Sequence, residues 1–252
     1  MDYISFGSGS KQLVVILGLS LKSIAESGPM LKNTFRTFSG DYTITVLDRE
    51  DDIPKGYTVH QMAEDSLQIL HSLGINSAYF IGNSLGGMIT MDILVNHPDV
   101  VIKAALTSTT AWISPHEETV TLWRNLADEG KTQELVKSML NMIFSDDFLV
   151  KYEALLLRMY DAIPKERLNK ISVSSQACLE FDLRDRLAEI RDIKKDALMV
   201  MGARGDKVFD SNRMSELAEI MSCNIFLYDA MYGHAVCDEA PDFYEHIHRF
   251  FK

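Results

Sequence analysis

The segment Ala78-Tyr79-Phe80-Ile81-Gly82-Asn83-Ser84-Leu85-Gly86-Gly87-Met88 constrains the fold more than any other part of the chain. A short apolar run rich in β-formers stops at Gly82. Two residues later a helical pattern begins, with Met88, Met91, Ile93 and Leu94 at roughly helical spacing. Between them stands Ser84, with glycines two residues before and two after it. The spacing has a steric reason: on a sharp strand-to-helix turn these neighbours come into near-contact, and glycine, lacking Cβ, fits there cheaply. Such a turn exposes the hydroxyl above the sheet edge and sets the next backbone N–H at the positive end of a helix. An exposed hydroxyl beside a fixed donor is what acyl transfer requires. A glycine-rich turn with an incidental serine reads the same over five residues, so the rest of the chain must decide between them.

The surrounding pattern alternates. Tyr3 to Phe6 reads as a short first strand, Leu13 to Leu17 as a strand buried on both faces, and Thr43 to Leu47 as the next strand. Helical segments are expected over Ser23 to Phe38 and from about Thr58 to Leu73. In the second, Met62, Leu67, Ile69, Leu70 and Leu73 face inward and Gly74 is the stop; His60 and His71 fall on the exposed side and receive no role. A polar loop, Glu50 to Gly56, precedes it, and Ile102 to Leu106 is the strand after the Ser84 helix. Strand and helix in alternation predict an α/β fold, a mostly parallel central sheet flanked by helices on both faces, with right-handed crossovers.

From Ser114 to Leu183 no strand pattern occurs and helical stripes recur, broken at Gly130, Ser145-Asp146-Asp147 and Pro164. This predicts an inserted helical cap of three or four helices. The division is therefore 1–113 for the first part of the core, 114–183 for the cap and 184–252 for the second part of the core. Within the cap, Met139, Met142, Phe148, Tyr152 and Met159 are candidates for a pocket wall. The alternation then resumes with a strand over Ala197 to Gly202, a helix over Ser211 to Met221, a last strand over Asn224 to Tyr228 and a closing helix over Asp242 to Phe251.

Composition narrows the function classes. A formal charge of −11 argues against a nucleic-acid surface, and it reads as solubility rather than as attraction of a cationic substrate. No apolar run approaches the ~20 residues of a membrane span, and Leu13 to Leu17 lacks a signal peptide's flanks. Three cysteines without a C-x-x-C read as reduced thiols of a cytoplasmic protein. The seven histidines are scattered, so neither a metal nor a cofactor is expected, and Gly82 to Gly87 lacks the dinucleotide pattern G-x-G-x-x-G.

Two further residues turn the serine into a set. Asp206 follows the strand after the helical insertion, and His234 follows the last strand. Serine, aspartate and histidine, in that order, each stand in a loop at the carboxyl end of an expected parallel strand. Such loops share one edge of the sheet, so residues far apart in sequence meet there. Other carboxylates have local explanations: Asp210 as the N-cap of the next helix, Asp229 in a turn, and Asp238 and Glu239 ahead of the closing helix, where negative charge is favoured.

Over nearly its full length the chain resembles the α/β-hydrolase superfamily. Gly82-Asn83-Ser84-Leu85-Gly86-Gly87 resembles its nucleophile elbow, Gly202 to Asp206 its acid loop and Gly233-His234 its histidine loop. The resemblance implies Ser84 as nucleophile, His234 as base and Asp206 as the acid that orients it. It also implies an oxyanion hole from the backbone N–H groups of Leu85 and of Leu19, in the glycine loop after the early strand. There are departures: Leu17 stands where a histidine usually precedes the loop glycine, and Asp196 where many relatives have proline. Size and cap resemble small esterases, enol-lactonases and carbon–carbon-bond hydrolases. The expected partner is a small-molecule acyl substrate, an ester, lactone or related compound cleaved through an acyl-enzyme. Two alternatives stay open: a ligand-binding or signalling protein with little turnover, and a triad enzyme performing carbon–carbon cleavage or proton abstraction. The oligomeric state is not legible.

Overall fold

The computed structural model describes residues 1–50, 52–114, 117–160, 163–188 and 195–252. The expected loop at 50–56 and the expected cap at 114–183 therefore both extend over residues outside that description. Seven strands form one sheet in the order β1-β3-β2-β4-β5-β6-β7: β1 (Asp2–Gly7), β2 (Lys11–Ile16), β3 (Tyr42–Asp48), β4 (Ala78–Asn83), β5 (Val101–Thr107), β6 (Leu198–Ala203) and β7 (Asn224–Tyr228). The edge strand β1 runs antiparallel to β3; every other pairing is parallel.

The continuous apolar runs become strands buried on both faces because successive side chains point to opposite sides. In β2, Val14 and Ile16 enter one core with α2 (Val59–Ser72), α3 (Leu85–Asn96) and α8 (Ser211–Met221). Leu13 and Val15 enter the other, with α1 (Ile24–Thr34) and the C-terminal α10 (Phe243–Phe251). Helix α3 is apolar all round and buried along almost its whole length, as a helix between packed layers must be. Between β5 and β6 the chain runs through α4 (Glu118–Asp128), α5 (Thr132–Ile143), α6 (Asp146–Met159) and α7 (Lys165–Leu179). The breakers act there as stops and starts: Gly130 has φ +69°, the Ser145 side chain caps α6, and Pro164 is the N-cap of α7.

Three details differ from the pattern read in the sequence. Helix α1 ends at Thr34, and a 3₁₀ turn over Arg36–Phe38 follows. In such a turn residues three apart eclipse, which sets Phe35 and Phe38 side by side against Tyr244 of α10. Leu73 is exposed, not inward. Helix α2 closes with the Gly74 N–H on the His71 carbonyl and the Ile75 N–H on the Leu70 carbonyl, so Ile75 takes the buried place. Finally, the loop after β7 carries a short helix α9 (Val236–Glu239) that the sequence pattern did not announce.

Candidate active site

The register aligns the carboxyl ends of the strands: Asn83 pairs with Thr107, Thr107 with Met201, and Ala203 with Tyr228. Ser84, Asp206 and His234 therefore all emerge on one edge. Ser84 has φ 53° and ψ −119°, a conformation that L-residues rarely adopt. The surroundings hold it there: its N–H donates to the Thr107 carbonyl at 2.9 Å, and its carbonyl accepts from Thr109 Oγ1 at 2.8 Å. The flanking glycines are sterically required. A Cβ on Gly82 would lie 2.6 Å from the Gly86 carbonyl oxygen, and one on Gly86 1.9 Å from the Ile16 carbonyl oxygen.

The three residues meet. Ser84 Oγ lies 3.1 Å from His234 Nε2, and His234 Nδ1 lies 2.8 Å from Asp206 Oδ2. The other carboxylate oxygen of Asp206 accepts the backbone N–H groups of Val208 at 2.7 Å and Phe209 at 2.9 Å, which fixes the plane of the acid. Asp206 and His234 are both buried, and the imidazole rests edge-on against the Phe209 ring with centroids 5.4 Å apart. Asp210 caps α8 instead, accepting from the Asn212 N–H at 2.8 Å.

Leu85 is the first residue of α3, so its N–H has no acceptor within the helix. The loop carrying Leu19 is close to the serine: a Cβ on Gly18 would lie 3.0 Å from Ser84 Cβ. That loop is clamped by Arg49, whose guanidinium donates to the carbonyls of Leu17 at 2.7 Å and Gly18 at 2.5 Å. Arg49 is fully buried beside Asp48, and Asp48 accepts from Lys170 Nζ of α7 at 2.7 Å. The sequence reading passed over this cluster; its one visible signal was a charged pair, Asp48-Arg49, directly ending an apolar strand.

A cavity of about 240 Å³ opens beside Ser84 and His234. Its far wall comes from the helical segment: Trp123 of α4, Leu140 and Ile143 of α5, then Phe144 and Tyr160. Of the five cap residues singled out in the sequence, Met139 lines it and Met142, Phe148, Tyr152 and Met159 do not. Phe148 is occupied in stacking on Phe144, while Tyr152 and Met159 are exposed on α6. Glu239, expected only as a favourable charge near a helix start, bridges two loops: it accepts from the Ser145 N–H at 2.9 Å and the Gly233 N–H at 3.4 Å. The Ala235 N–H on the Ile143 carbonyl at 2.9 Å reinforces that tie between the histidine loop and α5.

Residues 42–241 match the family described as alpha/beta hydrolase fold, and the chain belongs to that family. Among curated relatives it is 25% identical over 205 residues to a protein of Rhizobium rhizogenes named as carbamate hydrolase RutD, covering 80% of this chain and 77% of that one. To the protein so named in Serratia proteamaculans it is 30% identical over 107 residues, and the match spans only 39% of that relative's length. Among solved structures, MGS-M2, an α/β hydrolase enzyme from a Medee basin deep-sea metagenome library, superposes with a TM-score of 0.85 at 19% identity, over 99% of this chain and 93% of its own. The enol-lactonase from Burkholderia xenovorans LB400 does so with a TM-score of 0.82 at 21% identity, over 99% and 95%. At these identities the structural likeness is one of fold. No helix among the described residues is long and apolar enough to cross a membrane.

Proposed function

We propose that the chain is a serine hydrolase that cleaves a small carboxylic ester, lactone or related acyl substrate, with Ser84 as nucleophile, His234 as general base and Asp206 as the orienting acid. The observation that carries this reading is the unbroken chain of contacts from Asp206 Oδ2 through both imidazole nitrogens to Ser84 Oγ, ending at a cavity. His234 takes the Ser84 proton as Oγ attacks the carbonyl carbon. The oxyanion is held by the N–H groups of Leu85 and Leu19, and the leaving group departs with the proton from His234. Water then attacks the acyl-enzyme with His234 again as base, which releases the acid and restores Ser84. Asp206 keeps the imidazole in the tautomer that presents a bare Nε2 to the serine. In this reading 114–183 acts as the cap that supplies the substrate wall. A carbamate, the group in the curated relatives' name, carries the same kind of acyl carbon and falls within the class.

The test is covalent labelling with an organophosphonate. One adduct on the peptide that contains Ser84, abolished in Ser84→Ala together with turnover of a short-chain p-nitrophenyl ester, is the expected result. Labelling that survives the substitution undiminished would overturn the assignment. Folded protein with neither labelling nor turnover would favour the ligand-binding alternative.

A further inference from the structure

The backbone N–H of Leu19 has no hydrogen-bond partner among the described residues. It shares one trans peptide unit with the carbonyl of Gly18, and in that planar unit the N–H and the C=O point in opposite directions. Whatever holds the Gly18 oxygen therefore also sets where the Leu19 N–H is aimed. That holder is Arg49. Its Nη2 donates to the Gly18 oxygen at 2.5 Å, while its Nη1 takes the preceding carbonyl, that of Leu17, at 2.7 Å. Gripping two successive carbonyls in one rigid fork removes the rotation that glycine otherwise allows its peptide. The charge also polarises the peptide, which makes its N–H a stronger donor.

The guanidinium is itself held from the helical segment. Asp48 Oδ1 accepts the Arg49 backbone N–H at 2.8 Å and lies 3.3 Å from Nη2, while Oδ2 accepts from Lys170 Nζ of α7 at 2.7 Å. One turn earlier on α7, Arg167 donates at 3.1 Å to the carbonyl of Leu21, at the other end of the loop. Packing alone does not call for such a cluster. Enclosed charges cost desolvation, and apolar side chains of the same volume are often as stabilising or more so. Apolar side chains, however, have no donor with which to hold two carbonyl oxygens and so aim the peptide between them.

We infer that Arg49 is a positioning residue for the reaction, which aims the Leu19 N–H at the oxyanion through the Gly18–Leu19 peptide, and that Lys170 sets the place of the guanidinium through Asp48. Helix α7 is thereby joined to the geometry of the chemical step. This rests on the hydrolase reading above and names what fixes its second oxyanion donor.

Gly18-Leu19 is the one glycine–leucine step in the sequence, so protein with isotope labels on glycine carbonyl carbons and leucine amide nitrogens gives a single correlated NMR signal. The probe is an alkyl trifluoromethyl ketone: Ser84 Oγ adds to its carbonyl carbon, the serine proton passes to His234, and the ketone oxygen becomes an oxyanion. In the wild type this adduct should move the Leu19 amide proton downfield. The movement should shrink in Arg49→Met and in Lys170→Met, and Lys170→Arg should restore it. With a p-nitrophenyl ester, Arg49→Met should lose kcat by about 10²-fold, the scale of one oxyanion donor, with KM nearly unchanged, and Lys170→Met should lose less. Affinity for the ketone should fall in step with kcat/KM, while affinity for the matching secondary alcohol, which forms no adduct, should hold. Folded variants with lowered thermal stability but wild-type kcat and a wild-type amide shift would make the cluster merely structural and overturn the inference. The wild-type spectrum reads independently of how the variants fold. An unmoved Leu19 amide in protein that forms the adduct and turns over the ester overturns the inference and leaves the hydrolase reading standing. Wild type that neither forms the adduct nor turns over the ester fails the hydrolase reading, and the inference falls with it.

Discussion

Two histidine–aspartate pairs in this molecule share one contact and differ in what lies beyond the ring. His234 Nδ1 lies 2.8 Å from Asp206, and His60 Nδ1 lies 2.9 Å from Asp92. Both carboxylates are buried. The His234 side chain is 7% exposed and turns its other nitrogen to Ser84, whereas that of His60 is 58% exposed on α2 and turns to water. The pair itself is therefore no mark of chemistry. What distinguishes the first is a hydroxyl on a strained turn at the far nitrogen, and a cavity beside it.

The strongest way to break that comparison is to remove the charge from each acid. Asp206→Asn leaves an amide that disturbs the imidazole tautomer, so kcat should fall by up to ~10⁴-fold with the fold retained. Asp92→Asn, at the other pair, should leave kcat near wild type. Steady-state kinetics with a short ester, run beside a thermal melt, reads both. Comparable losses of kcat in the two variants would remove Asp206 from its special place. As an internal control, Asp210→Asn should cost about 1 kcal/mol of stability at most, as a helix cap does, with turnover intact.

A third buried carboxylate sharpens the contrast, because its partners are a lysine and an arginine rather than a histidine. Asp48 holds Lys170 at 2.7 Å and lies 3.3 Å from Arg49, with all three side chains about 1% exposed. Asp48→Asn deprives two enclosed cations of their carboxylate, and breaking a buried pair in this way costs about 3–5 kcal/mol. Denaturant unfolding measures this, and a loss below about 1 kcal/mol would show that the cluster is far less coupled than its geometry implies. Because Arg49 also holds the Leu17 and Gly18 carbonyls, kcat of the folded protein should fall as well.

These three acids also show how much could be read before any coordinates. That Ser84, Asp206 and His234 would meet was legible because each stands in a loop after a parallel strand with a glycine one or two residues away, and because parallel strands gather their carboxyl ends on one edge. Asp48 was visible only as the end of a strand. Its meaning depends on Lys170, far along the chain in α7, which buries Arg167, Lys170, Ser174 and Ser175 together with Leu168, Ile171, Val173, Ala177 and Cys178. The apolar positions mark a buried face, and nothing in their pattern tells that charged side chains share it. The cavity wall was legible as helices and, among the residues named for it, only at Met139, since the stripe of α6 leaves Tyr152, Leu155 and Met159 exposed while Trp123 and Leu140 do the lining.

The smallest expected effect concerns His60, and its sign follows from the pair. The hydrogen bond to Asp92 is the main cause that raises the His60 pKa above 6.5; burial opposes it, and the charges of Asp92 and Glu64 assist. A histidine raised on folding contributes stability that is fully present below its unfolded pKa of about 6.5 and is lost as pH rises through the folded value. His60→Gln should therefore destabilise the protein at pH 5.5 and have little effect at pH 9. The ring is largely exposed, so solvent screens the pair and the loss at pH 5.5 should be about 0.5 kcal/mol. Urea unfolding of both proteins at the two pH values, in low salt, measures it, and the difference should shrink further in 0.5 M salt. A loss that is equal at both pH values would mean that packing of the ring, rather than its charge, is what Asp92 supports, and the likeness between the two pairs would end at geometry.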